Sequence, residues 1–243
     1  MKDERDTIAE DAGTSGLAAL ADSLKDCSGC GLAQGRTQVV FGSGNADAEL
    51  MFVGEGPGFH EDRQGEPFVG QAGKLLTELL GGIGLSRQDV YIANVVKCRP
   101  PENRDPTPAE IAACSAHLFK QIRIIRPRVI CTLGRFATKL LADTELSMTA
   151  IHGRAKERTL AGVPVLVFPV FHPAAALYTP ANRQVLEEDF SKLRVLLTKG
   201  VEALGSKEIA TGERSWEDHR PLWERLSEDS ESSPSSGEQL PLW

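Results

Sequence analysis

The chain has 243 residues, with 27 Lys and Arg against 34 Asp and Glu, a net charge of −7 and 41% hydrophobic residues. No apolar run reaches the ~18 residues that a membrane span needs, which excludes a transmembrane protein. The mixed-charge opening Met1 to Asp6 precedes no apolar stretch, so no secretory signal is expected.

Residues 1–16 carry five acids, two bases and Gly13-Thr14-Ser15-Gly16, the composition of a disordered start. Glu49–Gly54 reads as a buried strand, and Ala72–Ile83, with Leu75, Leu76, Leu79 and Leu80, as a helix. Val90–Lys97 is a strand rich in β-branched residues. Thr107 is an N-cap with Pro108 at the first helical position and Glu110 completing a capping box, so a helix runs from there to about Arg126. Val129–Leu133 is a strand, Arg135–Ala142 a helix, Val163–Phe168 a strand and Ala181–Lys199 a long amphipathic helix. Strand and helix alternate four times, which predicts an α/β fold with a parallel sheet and a site beyond the strands' carboxyl ends. Residues 205–243 hold nine acids and four bases and are expected to form a disordered acidic tail, leaving a folded domain at 17–204. That domain alone has a charge of +1, and from 97 to 135 it carries eight bases and three acids. The overall acidity is therefore no argument against nucleic acid.

Three of the four carboxyl-end loops are distinctive. The first is Gly54-Glu55-Gly56-Pro57-Gly58, continuing through Glu61 to Phe68 and Gly70. The second follows Asn94, Lys97, Cys98 and Arg99 and continues through Asn103 and Arg104. The fourth contains His172-Pro173 and Leu177. The third, Gly134-Arg135, is plainer. Singly, each feature has an ordinary reading as a turn glycine, a solvated acid or a strand asparagine bonding nearby backbone. Together they indicate a pocket without naming a reaction. Cys27-Ser28-Gly29-Cys30 is a Cys-x-x-Cys pair, with Cys98 and Cys114 farther along, whereas Cys131 sits in a strand and belongs to the core. Four thiolates suit zinc or a four-iron cluster. A single tight pair is not the usual zinc-ribbon spacing, and a thioredoxin-like site would place the motif after a strand.

The ordered set of motifs resembles the family-4 uracil-DNA glycosylases, the iron–sulfur type, over roughly residues 25–199. The resemblance rests on Gly54–Gly58, Glu61–Gly70, Asn94 to Pro101, His172-Pro173-Ala174, Gly35-Arg36-Thr37 and the four cysteines in order. It implies a three-layer αβα sandwich with a central four-stranded parallel sheet, and a 4Fe-4S cluster on Cys27, Cys30, Cys98 and Cys114. It also implies hydrolysis of the bond joining uracil to deoxyribose in DNA, with Glu55 and His172 as the catalytic pair. Gly56, Glu61, Phe68, Asn94 and Asn103 would surround the base: Phe68 stacking, Asn94 reading its edge and Glu61 crowding C5. Lys97, Arg99 and Arg104 are candidate phosphate contacts, and Leu177 a wedge into the vacated stack. A related branch captures uracil-DNA covalently through a histidine in an Arg/Lys-rich insertion after the second strand. This chain has neither, so turnover is expected. Gln239, Leu240, Leu242 and Trp243 resemble the peptide with which bacterial repair proteins hold the sliding clamp. A monomer working in the cytoplasm on the nucleoid is expected. The competing readings are a non-enzymatic metal-cluster DNA-binding module and a glycosidase acting on sugars.

Overall fold

The structure, a computed structural model, describes residues 4–200. Its centre is four parallel strands in the order β3 (Tyr91–Asn94), β2 (Leu50–Gly54), β4 (Val129–Leu133) and β6 (Val163–Val170). The register pairs Gly54 with Asn94, Val53 with Thr132 and Leu133 with Val170. The chain therefore leaves all four strands along one edge, and the loops beginning at Glu55, Val95, Gly134 and Phe171 are neighbours.

Both faces of this sheet are buried, which is why its strands read as continuous apolar runs. Met51 and Val53 point into one core with Leu118 and Ile122 of α4 (Pro108–Ile125) and Leu141 of α5 (Arg135–Ala142). Leu50 and Phe52 point into the other, with Leu76 and Leu80 of α3 (Gln71–Gly82) and Phe190 and Leu193 of α8 (Pro180–Lys199). These are the three layers expected. The helix α4 starts as its sequence predicts: Glu110 N–H donates to Thr107 Oγ1 at 3.3 Å and Glu110 Oε2 accepts from Thr107 N–H at 2.8 Å.

Two features differ from expectation. The sheet has six strands, because β1 (Ser43–Gly44) and β5 (Lys156–Leu160) add antiparallel edges beside β3 and β6. The β5 segment, Lys-Glu-Arg-Thr-Leu, is too charged to look like a core strand, but charged residues suit an exposed edge. It joins β6 through Ala161-Gly162, both at positive φ (51° and 81°), the geometry of a two-residue hairpin. The second difference is that α1 spans Glu4–Leu24, so most of the segment expected to be disordered is helical. Leu17 and Leu24 are buried, and Gly16 faces Ile124 of α4. No helix among the described residues is long and apolar enough to cross a membrane. The acidic tail and its Gln239–Trp243 peptide lie outside the described residues.

Candidate active site

Glu55 is the first residue beyond β2, half-buried above the sheet edge. Burial pushes its carboxyl up to about 7; the negative Asp105 raises it further and the positive Arg135 opposes this. Arg135 and Asp105 are ion-paired to one another, so a strapped pair joining the start of α5 to the loop before α4 adjusts the field at Glu55 on top of burial.

His172 follows β6. Its Nδ1 accepts a hydrogen bond from the Ala174 N–H at 3.2 Å. Burial lowers its pKa to about 4, against a weaker opposing pull from Glu61. The imidazole is therefore neutral at physiological pH, and because Nδ1 is an acceptor, the proton sits on Nε2. The plain third loop contributes here: Gly134, at φ 87°, passes so close to the histidine that a Cβ there would lie 3.1 Å from His172 Cβ.

The Phe68 and His172 rings lie 5.5 Å apart, centroid to centroid. A Cβ on Gly54 would lie 2.5 Å from Asn94 Oδ1 and 2.7 Å from the Phe68 ring, so only glycine lets these two side chains meet over the strand end. Asn94 is 2% exposed and its Oδ1 is buried without a hydrogen-bond partner. An orphaned buried acceptor is costly unless a ligand satisfies it. Phe68, Asn94 and His172 thus converge on one place, with Glu55 one residue beyond Gly54.

The Phe68 backbone is in the left-handed region, φ 56°, a conformation that costs ~1–3 kcal/mol in a non-glycine residue. Two side chains hold it. Arg87 donates to the carbonyls of Phe68 (3.1 Å) and Pro67 (2.7 Å). Glu61 Oε1 accepts from the N–H groups of Val69 and Gly70, both at 2.9 Å. Glu61 is therefore a clamp on the Phe68 loop. Gly56 packs against the strand extension, where a Cβ would meet Val96 Cγ2 at 2.7 Å.

The proposed phosphate contacts divide. Lys97 is fully buried, its Nζ donating to the Asn94 carbonyl (2.9 Å) and Gln121 Oε1 (2.5 Å), which corrects its assignment as a DNA contact. A buried ammonium held by two internal acceptors cannot reach a phosphate. Arg104 is partly exposed but makes a two-pronged bond to Glu110, at 2.9 and 2.7 Å. Asn103, expected around the base, is exposed in the turn Pro101–Asn103 and its Oδ1 accepts from Arg99 Nε at 2.8 Å, which makes it a rim residue. Leu177, 46% exposed, lies in α7 (Ala174–Tyr178) beside the His172 loop.

Cys27, Cys30, Cys98 and Cys114 line a single cavity between the end of α1, the β3 extension and α4. None is in a disulfide. Arg36 Nη1 donates to Cys98 Sγ at 3.5 Å and Lys97 N–H to Cys114 Sγ at 3.2 Å. Such donors steady anionic sulfur. Without a metal, burial instead pushes the Cys98 and Cys114 thiols toward protonation, Cys114 to about 11. The four thiols, with N–H groups already pointed at two of them, fit an iron–sulfur cluster, and His117, whose buried Nδ1 has no partner, lines the same cavity. Among the described residues no three His, Cys, Asp or Glu side chains are gathered closely enough to hold one metal ion.

Sequence reasoning missed Arg87, Asp105, Arg135 and Gly134. No local motif marks them, because each acts through contacts between loops far apart in the chain.

The chain, with this parallel α/β sheet and its partly unsatisfied cluster at the carboxyl edge, matches the Uracil DNA glycosylase superfamily over residues 41–194. The chain is 50% identical over 198 residues to the Type-4 uracil-DNA glycosylase of Saccharolobus solfataricus, covering 79% of this chain and 88% of that protein. It is 49% identical over 187 residues to the enzyme of the same description from Archaeoglobus fulgidus (75% and 94% covered) and 47% over 186 to that of Thermotoga maritima (75% and 95%). The chain belongs to the type-4 uracil-DNA glycosylases.

Proposed function

We propose that the protein excises uracil from DNA as the first step of base excision repair, with Glu55 and His172 as its catalytic residues. The observation that carries this reading is the unpartnered, buried Oδ1 of Asn94 beside the Phe68 ring. Uracil rotated out of the stack would lie on Phe68 and give its N3–H to that oxygen, while the Asn94 amide donates to O4. Cytosine presents the opposite donor and acceptor at those two positions and would leave the carboxamide unsatisfied. Glu61, in the clamp beside Phe68, is assigned to the C5 side of the base, where the methyl of thymine would be excluded, and Gly56 to the pocket wall.

As the glycosidic bond stretches, C1′ becomes electron-poor and the bonding electron pair moves onto uracil N1. The neutral His172 donates from Nε2 to O2 and steadies the anion. Water adds to C1′ and its proton passes to Glu55, whose carboxyl, raised to about 7, accepts and releases a proton at neutral pH. Glu55 then releases that proton to solvent and the uracil anion takes one up, so that the products are an abasic site and free uracil.

Cys27, Cys30, Cys98 and Cys114 are the ligands we assign to a 4Fe-4S cluster, which when bound supplies a cross-link between the N-terminal segment and the sheet. The stretch Pro100–Pro106 contains no histidine, so no covalent protein–DNA adduct is formed. Gln239, Leu240, Leu242 and Trp243 are proposed to hold the sliding clamp. Truncation after Gly237 is expected to weaken binding to purified clamp without changing uracil release from a short oligonucleotide.

The direct test is uracil release by His172→Ala and Glu55→Gln. Each is expected to lose at least ~10²-fold in rate, the usual loss when a group facing developing charge is removed. Wild-type rates in both variants would overturn the assignment. The non-enzymatic alternative fails with the first released uracil.

A further inference from the structure

Four large hydrophobic side chains among the described residues are exposed, and Phe59 is one of them, at 46%. It opens the short helix α2 (Phe59–Gln64), one residue past the Gly54–Gly58 loop of the pocket. Two guanidinium groups sit over its ring. Arg99 lies 5.2 Å from the ring centroid and Arg63 lies 5.6 Å from it. The two arginines come from different elements, Arg63 from α2 and Arg99 from the extension of β3.

Like charges gathered in this way repel, and a shared aromatic ring is one of the few surface devices that holds them together. Arg99 is fixed a second time by its Nε bond to Asn103 Oδ1, which leaves the outer nitrogens of its guanidinium for a ligand. The two carboxylates that directly precede Arg63 are already engaged. Glu61 Oε1 bonds the Val69 and Gly70 amides, and the buried Asp62 Oδ1 accepts from Thr37 N–H at 2.9 Å. The pair therefore differs from Arg104, whose charge is satisfied by Glu110.

We propose that Phe59, Arg63 and Arg99 form a phosphate clamp that grips the DNA backbone beside the extruded nucleotide, with Phe59 as the spacer that fixes the two guanidinium groups. This rests on the reading of the adjoining pocket as the uracil site, since that is what brings DNA to this rim. Each arginine takes one backbone oxygen or both share one phosphate, while Asn103 orients Arg99. The unexpected position of Asn103 at the rim is thereby given a role. The ligand is a DNA phosphodiester, and free inorganic phosphate is the competing source of the same chemistry.

The test uses the full chain and single-stranded DNA carrying an abasic site, which the enzyme does not consume. Binding is measured across a salt series, with free uracil as a separate inhibitor of uracil release. Arg63→Ala and Arg99→Ala are each expected to weaken DNA binding and to flatten the slope of log affinity against log salt by ~0.7, the value for one phosphate contact on a single strand. Phe59→Leu keeps both charges and most of the apolar volume but removes the ring. It is expected to weaken binding by about threefold or more while leaving more of the slope than either arginine variant does. Inhibition by free uracil is expected to be unchanged in all three. Inorganic phosphate at the same ionic strength as chloride is expected to compete no better than chloride does.

Unchanged affinity and slope in the arginine variants would overturn the proposal. So would wild-type DNA affinity in Phe59→Leu, which would leave two independent surface arginines. An equal loss of free-uracil inhibition would place the cluster in the base pocket instead, and selective competition by inorganic phosphate would make it a free-anion site. Absence of uracil release by the wild type would defeat the function proposed above, yet the salt slopes on abasic DNA would still decide this proposal.

Discussion

The base pocket and the cysteine cavity lie on either side of one short stretch of chain, Asn94 to Cys98, and they are finished in opposite ways. In the pocket the protein supplies nearly every partner itself: the Phe68 loop is clamped by Arg87 and Glu61, and His172 is fixed by the Ala174 N–H. One buried atom there, Asn94 Oδ1, is left without a partner from the protein. In the cysteine cavity four thiols line one space, Cys98 and Cys114 pushed toward protonation by burial, with only Arg36 and a backbone N–H pointed at sulfur. A site that waits for a transient ligand must be organised without it, whereas a site for a resident group can rely on that group to complete the packing. Lys97 joins the two, since its backbone N–H bonds Cys114 while its side chain bonds the Asn94 carbonyl.

The largest effect should come from removing the 4Fe-4S cluster proposed for the cysteine cavity. Iron chelation or Cys98→Ser is expected to abolish the visible absorbance of the anaerobically purified protein and to free residues 17–36 for proteolysis. Because Lys97 ties the cavity to Asn94, inhibition by free uracil should weaken as well. Full uracil inhibition in the iron-free protein would show the two sites to be independent, breaking the comparison.

The pH dependence sharpens it from the pocket side. If the ionised Glu55 is the working form, uracil release rises with pH and levels off above about 7, where its carboxyl titrates. His172 stays neutral throughout that range, its pKa being near 4. Asp105 raises the Glu55 pKa, so Asp105→Asn moves the midpoint to lower pH. Arg135 lowers it, so Arg135→Ala moves the midpoint to higher pH. The stability consequence has the opposite sense to activity: a carboxyl with a raised folded-state pKa favours folding when protonated. Its contribution is full below the ordinary carboxyl value of 4.5 and is lost as pH rises through about 7. A pH profile that does not move in either variant would mean that the strapped pair does not adjust the field at Glu55.

What could be read in the sequence was what lies along the chain. The continuously apolar β2 and β4 announce a doubly covered sheet, and Thr107, Pro108 and Glu110 announce a helix start because capping is a local reaction between neighbours. Glu55, Phe68, Asn94 and His172 were found as members of motifs that the family resemblance arranges in order. What could not be read was contact across the fold. Lys97 looked like a surface cation because lysine usually is one, and only the approach of Gln121, 24 residues away, makes an internal place for it. Asn103 looked like a base contact until Arg99 claimed it. The edge strand β5 was hidden by its own solvent-facing charges.

Arg87 is the clearest of these hidden residues, and it gives the subtlest test. It lies between α3 and β3, bonds no side chain assigned to the base, and donates two bonds to the backbone carbonyls of Pro67 and Phe68. Burial lowers the pKa of its guanidinium, against a smaller pull from Glu66. Removing it leaves two carbonyls to find other partners and leaves Phe68 in its left-handed conformation with only the Glu61 side of the clamp. Hydrogen bonds from charged donors are worth ~1.5–3 kcal/mol, and partial replacement by water places the expected loss of stability in Arg87→Ala near 1–2 kcal/mol. The catalytic groups are untouched, so the maximal rate should fall less than the affinity for free uracil. Arg87→Lys keeps the charge but cannot span both carbonyls, and should recover the stability more than the affinity. If Arg87→Ala binds free uracil as tightly as the wild type, the Phe68 loop holds its strained backbone without this clamp, and the pocket is less prearranged than its hydrogen bonds imply.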